Sequence, residues 1–249
     1  HAGIKPVPEL DLALIFSMYD TTAAGVFTTN RCAAAPVDIT KRHIRAGKVR
    51  AIITNSGIAN ACTGKRGFSD ARAMAHVVAD ALELNPNQVC VGSTGIIGQP
   101  LPLQIIQKAV PKLVSRLKPS GGRNAARAIL TTDAQIKEIS ATAIIAGKRV
   151  TIGGIAKGAG MIHPNMATML GYLATDAAIE RAALQSALKH AVDKSFNAVT
   201  IDGETSTNDM VLCLANGLAK NSRIRVGTAA MRAFQRLLTE GCLTLAKQI

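Results

Sequence analysis

The chain has 249 residues, of which 48% are hydrophobic and 18% charged, and a formal net charge of +13. Those proportions exclude a disordered or fibrous protein, and no run reaches the ~18 apolar residues of a membrane span. Trp is absent and aromatics make up 3%, so the core must come from Ala, Val, Ile and Leu, and rings that could stack on exposed bases are scarce.

In chain order, the start HAGIKPVPELDLALIF lacks the ordered charged, apolar and cleavage regions of a signal peptide, and reads as a chain entered part-way. Alternation of Leu12, Leu14 and Phe16 predicts a strand over 11–17, with a second short strand at 26–29 and a loop around 33–38. A third strand, 50–54, runs into NSGIANACTG at 55–64, a loop whose glycines suit close backbone approach. Ser69 caps a helix that presents Met74, Val77, Val78, Ala81 and Leu82 and ends near Leu84. A strand at 88–92 then turns at STGIIG, 93–98, and a helical region starting near Pro100 and Pro102 is divided or kinked by Pro111.

Gly121 and Gly122 break the chain before a short helix, 124–130, that leads into Thr131, Thr132 and Asp133. Segments 141–146 and 149–155 form a hairpin joined at Gly147 and Lys148. The stretch KGAGMIHPNMATML, 157–170, cannot be an ordinary helix or central strand, given its glycines and proline; it delivers Thr168 to a strand over 168–175. A helix starts at Asp176 and shows Ile179, Ala183, Leu184, Ala187, Leu188 and Ala191. A strand at 198–201 leads to DGETSTND, 202–209, then a helical or extended segment at 210–214 and a last helix over 228–249, with Gly241 as its weak point. Strands and helices mix without a βαβ repeat, which predicts an α+β or layered α/β architecture in a single domain, 1–249.

Five dispersed cysteines with no CxxC pair predict reduced thiols and a cytoplasmic setting. The histidines are as dispersed, so no metal is expected. The basic excess fits an anionic small molecule, a solvated surface or nucleic acid, and does not choose among them. Four polar loops (55–64, 93–98, 131–133 and 157–168), three of them Gly-containing, end or precede strands and can gather at one edge, where chemistry usually sits. No Ser/His/Asp set is visible. Thr168 fits either a plain β-branched strand residue or a nucleophile whose own freed α-amine is the base; the second requires cleavage between Ala167 and Thr168.

KGAGMIHPNMATML, together with NSGIANACTG, STGIIG, LTTDA at 130–134 and DGETSTND, closely resembles the glutamate N-acetyltransferase family, also called ornithine acetyltransferase, of arginine biosynthesis. The resemblance covers nearly the whole chain. It implies a layered α/β sandwich of the ornithine acetyltransferase and self-processing aminopeptidase type. It also implies self-cleavage into an α chain, 1–167, and a β chain from Thr168. Thr168 is then the nucleophile, Thr94 and Gly95 the oxyanion hole, and Lys157, Thr168 and one threonine of the TTD motif, with Thr131 preferred to Thr132, bind substrate. The implied substrates are N-acetylornithine and glutamate, with acetyl-CoA a possible further donor and no cofactor. The implied assembly is a heterotetramer of two α and two β chains, with neither nucleic acid nor membrane as partner.

The chain departs from the family pattern at Ile58, Ala159 and Glu204, where Asn, Ser and Asp are usual. The family pattern also continues beyond Ile249 into a DGEGATK-like segment whose glutamate binds substrate, so the chain is expected to be truncated or short of part of the site. Two rival readings are a self-processing amidase or aminopeptidase with water as acceptor, and a basic nucleic-acid-binding protein.

Overall fold

Alternating apolar side chains in Leu12–Phe16 form strand β1, which pairs antiparallel with β3 (Ala51–Ile58), Leu12 facing Asn55 and Phe16 facing Ala51. In this computed structural model, residues 1–163 and 169–249 are described. Strand β4 (Val89–Ile96) lies parallel to β3 and completes a three-stranded sheet in the order β1-β3-β4. A five-stranded sheet has the order β2-β8-β7-β6-β5, from β2 (Thr22–Phe27), β5 (Lys137–Ile145), β6 (Lys148–Lys157), β7 (Leu170–Thr175) and β8 (Met210–Ala215). Its central pair β7–β8 is parallel, and the other pairs are antiparallel.

The period-two alternation of strands assigns each face to a different core. In β8, Met210, Leu212 and Leu214 join Ala13, Ile52 and Cys90 between the two sheets, whereas Val211, Cys213 and Ala215 face helices α5 (Arg181–Lys194) and α6 (Ala229–Ala246). On the far side of the smaller sheet, Leu12, Leu14, Ile53 and Val91 pack with α2 (Gly64–Leu82) and α3 (Leu103–Ser115). The result is a four-layered helix–sheet–sheet–helix sandwich of α+β class, in which the edge strand β5 of the larger sheet leaves one face, with Ile144, exposed.

The structure corrects several boundaries. Residues 33–38, expected as a loop, include the start of helix α1 (Ala35–Ala46); Pro36 sits in its first turn, where a missing N–H costs nothing. Thr40 on α1 donates its hydroxyl to Val91 O (2.7 Å) and accepts from Val91 N–H (2.8 Å), so the helix caps the exposed edge of β4. Both NSGI and STGI are strand rather than loop. Their polar side chains are buried but satisfied: Ser93 Oγ donates to Asn55 Oδ1 (2.6 Å), and Ser56 Oγ to Ala128 O (2.7 Å).

Helix α2 begins at Gly64, so Ser69 lies inside it, and α3 runs through Pro111 as one element. The short helix α4 spans Gly122–Ala128. The hairpin turns at Ala146 and Gly147, both at positive φ, one residue earlier than expected. Asp176 does not start α5, because its carboxylate accepts Thr151 N–H (2.7 Å), and the chain runs on to α5 through a bridge between Ile179 and Ile224. Residues 198–201 form no strand; Ile201 is exposed and its N–H is taken by Ile162 O. Gly241 is a contact rather than a weak point. A Cβ there would lie 2.7 Å from Ile152 Cδ1, so glycine lets α6 seat closely on β6.

Candidate active site

β3 and β4 end side by side, with Gly57 opposite Gly95. Gly95 has φ +130°, and a Cβ on it would lie 2.3 Å from the Gly57 carbonyl carbon, so no other residue fits this backbone. Thr94, just before it, is buried. Lys157, at the end of β6 and 3% exposed, donates to Thr131 Oγ1 (2.8 Å) and Thr94 Oγ1 (3.2 Å). Because an ammonium only donates, Thr94 must be the acceptor, which leaves its own hydroxyl proton to point elsewhere. These residues line a cavity of about 530 Å³, with Thr132 and Gly160 also on its wall. All four loops singled out in the sequence therefore contribute to one cavity.

Asp133 organises the TTD turn. Its carboxylate accepts Lys137 Nζ and Gly158 N–H, both at 2.7 Å, and Thr131 N–H at 3.1 Å. Burial pushes its pKa up, but Lys137, the Gly158 amide and nearby Lys157 outweigh that and hold it below the ordinary carboxylate value. For Lys157, burial is the main effect and lowers its pKa. Asp133 and Asp209 oppose the shift, and Lys137 and Lys5 add to it.

The 202–209 loop forms the opposite wall. Asn208 Nδ2 donates to Ala59 O (2.7 Å) and Ser93 O (2.9 Å), stitching the end of the smaller sheet to the entrance of β8. Losing such a bridge strands two buried carbonyls, at about 1–3 kcal/mol each. Exposed Asp202 accepts Met161 N–H (2.5 Å) and Ile162 N–H (2.7 Å), which anchors the chain before 163. Asp209 Oδ1 accepts Met169 N–H (2.9 Å), which anchors it again where it enters β7. Leu170 then lies opposite Lys157 in the β6–β7 ladder, so β7 starts beside the cavity. Ala167 and Thr168, the expected cleavage site and nucleophile, lie outside the described residues.

Burial raises the Asp209 pKa to about 7, outweighing the Met169 amide, the Ser206 hydroxyl and the charge of Lys157. A carboxyl raised in this way binds a proton in the folded chain that the unfolded chain releases, so its contribution falls as pH rises from 3.8 to about 7. Denaturant titrations across pH 4–8 should therefore show wild type losing stability relative to Asp209→Asn over this window, by up to about 1.4 kcal/mol per pH unit. Parallel curves for the two proteins would refute the shift.

The sequence reading assigned no role to Asp133, Lys137, Asn208, Asp209, Lys5 or Glu9, although TTD and DGETSTND were noted as motifs. Among the described residues, no group of three or more His, Cys, Asp or Glu side chains could hold a metal ion, and no helix is long and apolar enough to cross a membrane.

The sequence pattern of the ArgJ family matches residues 1–249. The arginine biosynthesis bifunctional protein ArgJ of Symbiobacterium thermophilum is 52% identical over 239 residues, covering 96% of this chain and 60% of the relative. Its counterpart in Thermosynechococcus vestitus is 47% identical over 249 residues, covering 100% of this chain and 59% of its own length. The chain thus spans about 60% of the length of these curated relatives. Among solved structures, ArgJ from Bacillus halodurans superposes with a TM-score of 0.63 at 44% identity, covering 67% of this chain and 87% of that one. Ornithine acetyltransferase from Mycobacterium tuberculosis, complexed with ornithine, gives 0.60 at 43% identity, covering 66% and 87%. An L-aminopeptidase D-Ala-esterase/amidase from Ochrobactrum anthropi, of a variant Ntn-hydrolase fold, gives 0.57 at 10% identity over 92% of this chain and 72% of its own, a likeness of fold alone.

Proposed function

The chain belongs to the ArgJ family, and from that premise we propose that it moves an acetyl group from N-acetylornithine to glutamate through an ester on Thr168. The observation that carries this reading is the placement of Lys157 Nζ within hydrogen-bonding distance of both Thr94 and Thr131 on the wall of one cavity. In the proposed first half-reaction, Thr168 Oγ attacks the acetyl carbonyl carbon and its proton passes to the Thr168 α-amine. The Thr94 hydroxyl and the Gly95 N–H take the oxyanion. The C–N bond breaks, and ornithine leaves with the proton on its amine. In the second, the glutamate α-amine attacks the ester carbonyl, the C–O bond breaks, and the proton returns to Thr168 Oγ. Lys157 and Thr131 bind the substrate backbone carboxylate. Acetyl-CoA would load the same ester from its thioester.

This chemistry needs a free amine on Thr168. We infer that Thr168 Oγ attacks the Ala167 carbonyl, the peptide C–N bond gives way to an ester, and water hydrolyses that ester. The single domain is thereby divided into 1–167 and a piece that begins at Thr168. In support, each of the two ArgJ-type solved chains covers about as large a share of this chain as the residues before Thr168. We place the pieces in a heterotetramer of two of each, in the cytoplasm.

Product analysis tests the reaction. Supplying N-acetylornithine and glutamate should yield N-acetylglutamate and ornithine in equal amounts. Acetate release at a rate indifferent to glutamate would instead make the protein a hydrolase.

A further inference from the structure

Residues 1–10 form a strap that is tied back on itself by Asp11. The fully buried Asp11 carboxylate accepts the N–H groups of Ala2 (2.6 Å), Gly3 (2.9 Å), Ile4 (2.7 Å) and Lys5 (3.3 Å). Burial opposes its charge, yet these amides together hold its pKa below the ordinary carboxylate value, so the strap closes around an ionised group. Held this way, Lys5 and Glu9 line the same cavity as Thr94 and Lys157. The Lys5 stem lies over Gly57, where a Cβ would come within 3.2 Å of Lys5 Cγ, and Gly57 in turn abuts Gly95. Lys5 Nζ is 3.4 Å from Glu9 Oε2 and 3.2 Å from Leu10 O; its side chain is 9% exposed, against 63% for Glu9.

The acetyl-transfer steps give this pair no role. They do pose a problem that the pair answers. The site must admit, in turn, an amino acid with a cationic side chain and one with an anionic side chain. A single fixed charge on the wall would attract one and repel the other. We propose that Lys5 and Glu9 read the side chain of the amino acid in the cavity, Lys5 receiving the carboxylate of the acceptor and Glu9 the ammonium of the donor. At 3.4 Å the pair is longer than a good charge-assisted bond, and Glu9, 63% exposed, is screened by solvent, so the contact holds neither charge firmly. Either partner can therefore turn from the other to the substrate at small cost. Lys157, buried deeper and fixed by two threonines, serves the carboxylate common to both substrates.

This inference rests on the acetyl-transfer reading above, and the test separates the two. In a ping-pong scheme each kcat/KM reports one half-reaction, so the intact, self-processed protein is assayed for kcat/KM with glutamate and with N-acetylornithine. Lys5→Met should lower the glutamate-to-N-acetylornithine ratio of kcat/KM about tenfold, and Glu9→Gln should raise it about tenfold, the range expected for a lost charged contact. Asp11→Asn, which loosens the strap, should lower both values together and leave the ratio unmoved. Ratios within twofold of wild type in both charge variants would overturn the assignment. The Glu9 arm is also read without an acceptor, as the preference of the acylation step for N-acetylornithine over uncharged N-acetylnorvaline; Glu9→Gln should erase that preference, and its persistence would count against the role. A wild-type protein that forms no acetyl ester would refute the acetyl-transfer reading itself.

Discussion

Thr168→Ala, in the full-length protein, is expected to run as one band on a denaturing gel where wild type runs as two. Sequencing of the second wild-type piece should begin at Thr168. Alanine has no oxygen to attack the Ala167 carbonyl, so cleavage should stop. With neither a hydroxyl nor a free α-amine, acyl transfer should fall by roughly 10⁴-fold or more, the scale seen when a nucleophile is removed from a catalytic set. Thr168→Ser keeps both groups and should still be cut. A wild-type second piece that starts at any other residue would sink the assignment.

A second large effect is expected at Thr94. Valine there preserves shape and burial but removes the hydroxyl. Both half-reactions should slow by about 10²–10³-fold in kcat, since each passes through an oxyanion at the same place. Because Thr94 also accepts from Lys157 Nζ, part of a loss could travel through a displaced lysine. A displaced lysine would raise KM, whereas a missing oxyanion donor lowers kcat with KM little changed. Thr94→Ser restores the hydroxyl and should recover most of the rate. A threefold or smaller loss of kcat in Thr94→Val would remove Thr94 from the oxyanion role.

What could be read from the chain beforehand was the part written locally. Alternation in β1 and in the β5–β6 hairpin, and the apolar face of α2, declare themselves over a few residues. Helix α1 did not, because Pro36 and Asp38 imitate a turn; its identity depends on packing against β4. NSGI and STGI look like loops for their polar and Gly content, and become strands only because each supplies the other's ladder and Asn55, Ser56 and Ser93 find buried partners. The candidate site divides along the same line. Thr94, Gly95, Thr131 and Lys157 came from resemblance of short motifs, and the structure places all four on one cavity. The groups that orient them could not be seen in advance. Asp133 acts through Lys137 and Gly158, and Asn208 through carbonyls more than a hundred residues away. Lys5 reaches the cavity only because Asp11 gathers the amides before it.

The order of the larger sheet bears on what the proposed freeing of Thr168 would do to the protein. Its strands run β2-β8-β7-β6-β5, so the two that follow residue 168 sit together between strands that precede it, with a ladder to the earlier part on each side. Cutting one peptide bond beside this sheet removes none of those ladders, and the halves are held by the whole fold. The uncut chain needs only itself to reach this arrangement. Once cut, a molecule that unfolds must find its other half by diffusion, so refolding becomes a second-order process that slows with dilution. The proposed cleavage would thus leave the assembled state intact while making its loss hard to reverse, and persistence would then depend on how slowly the sheet opens.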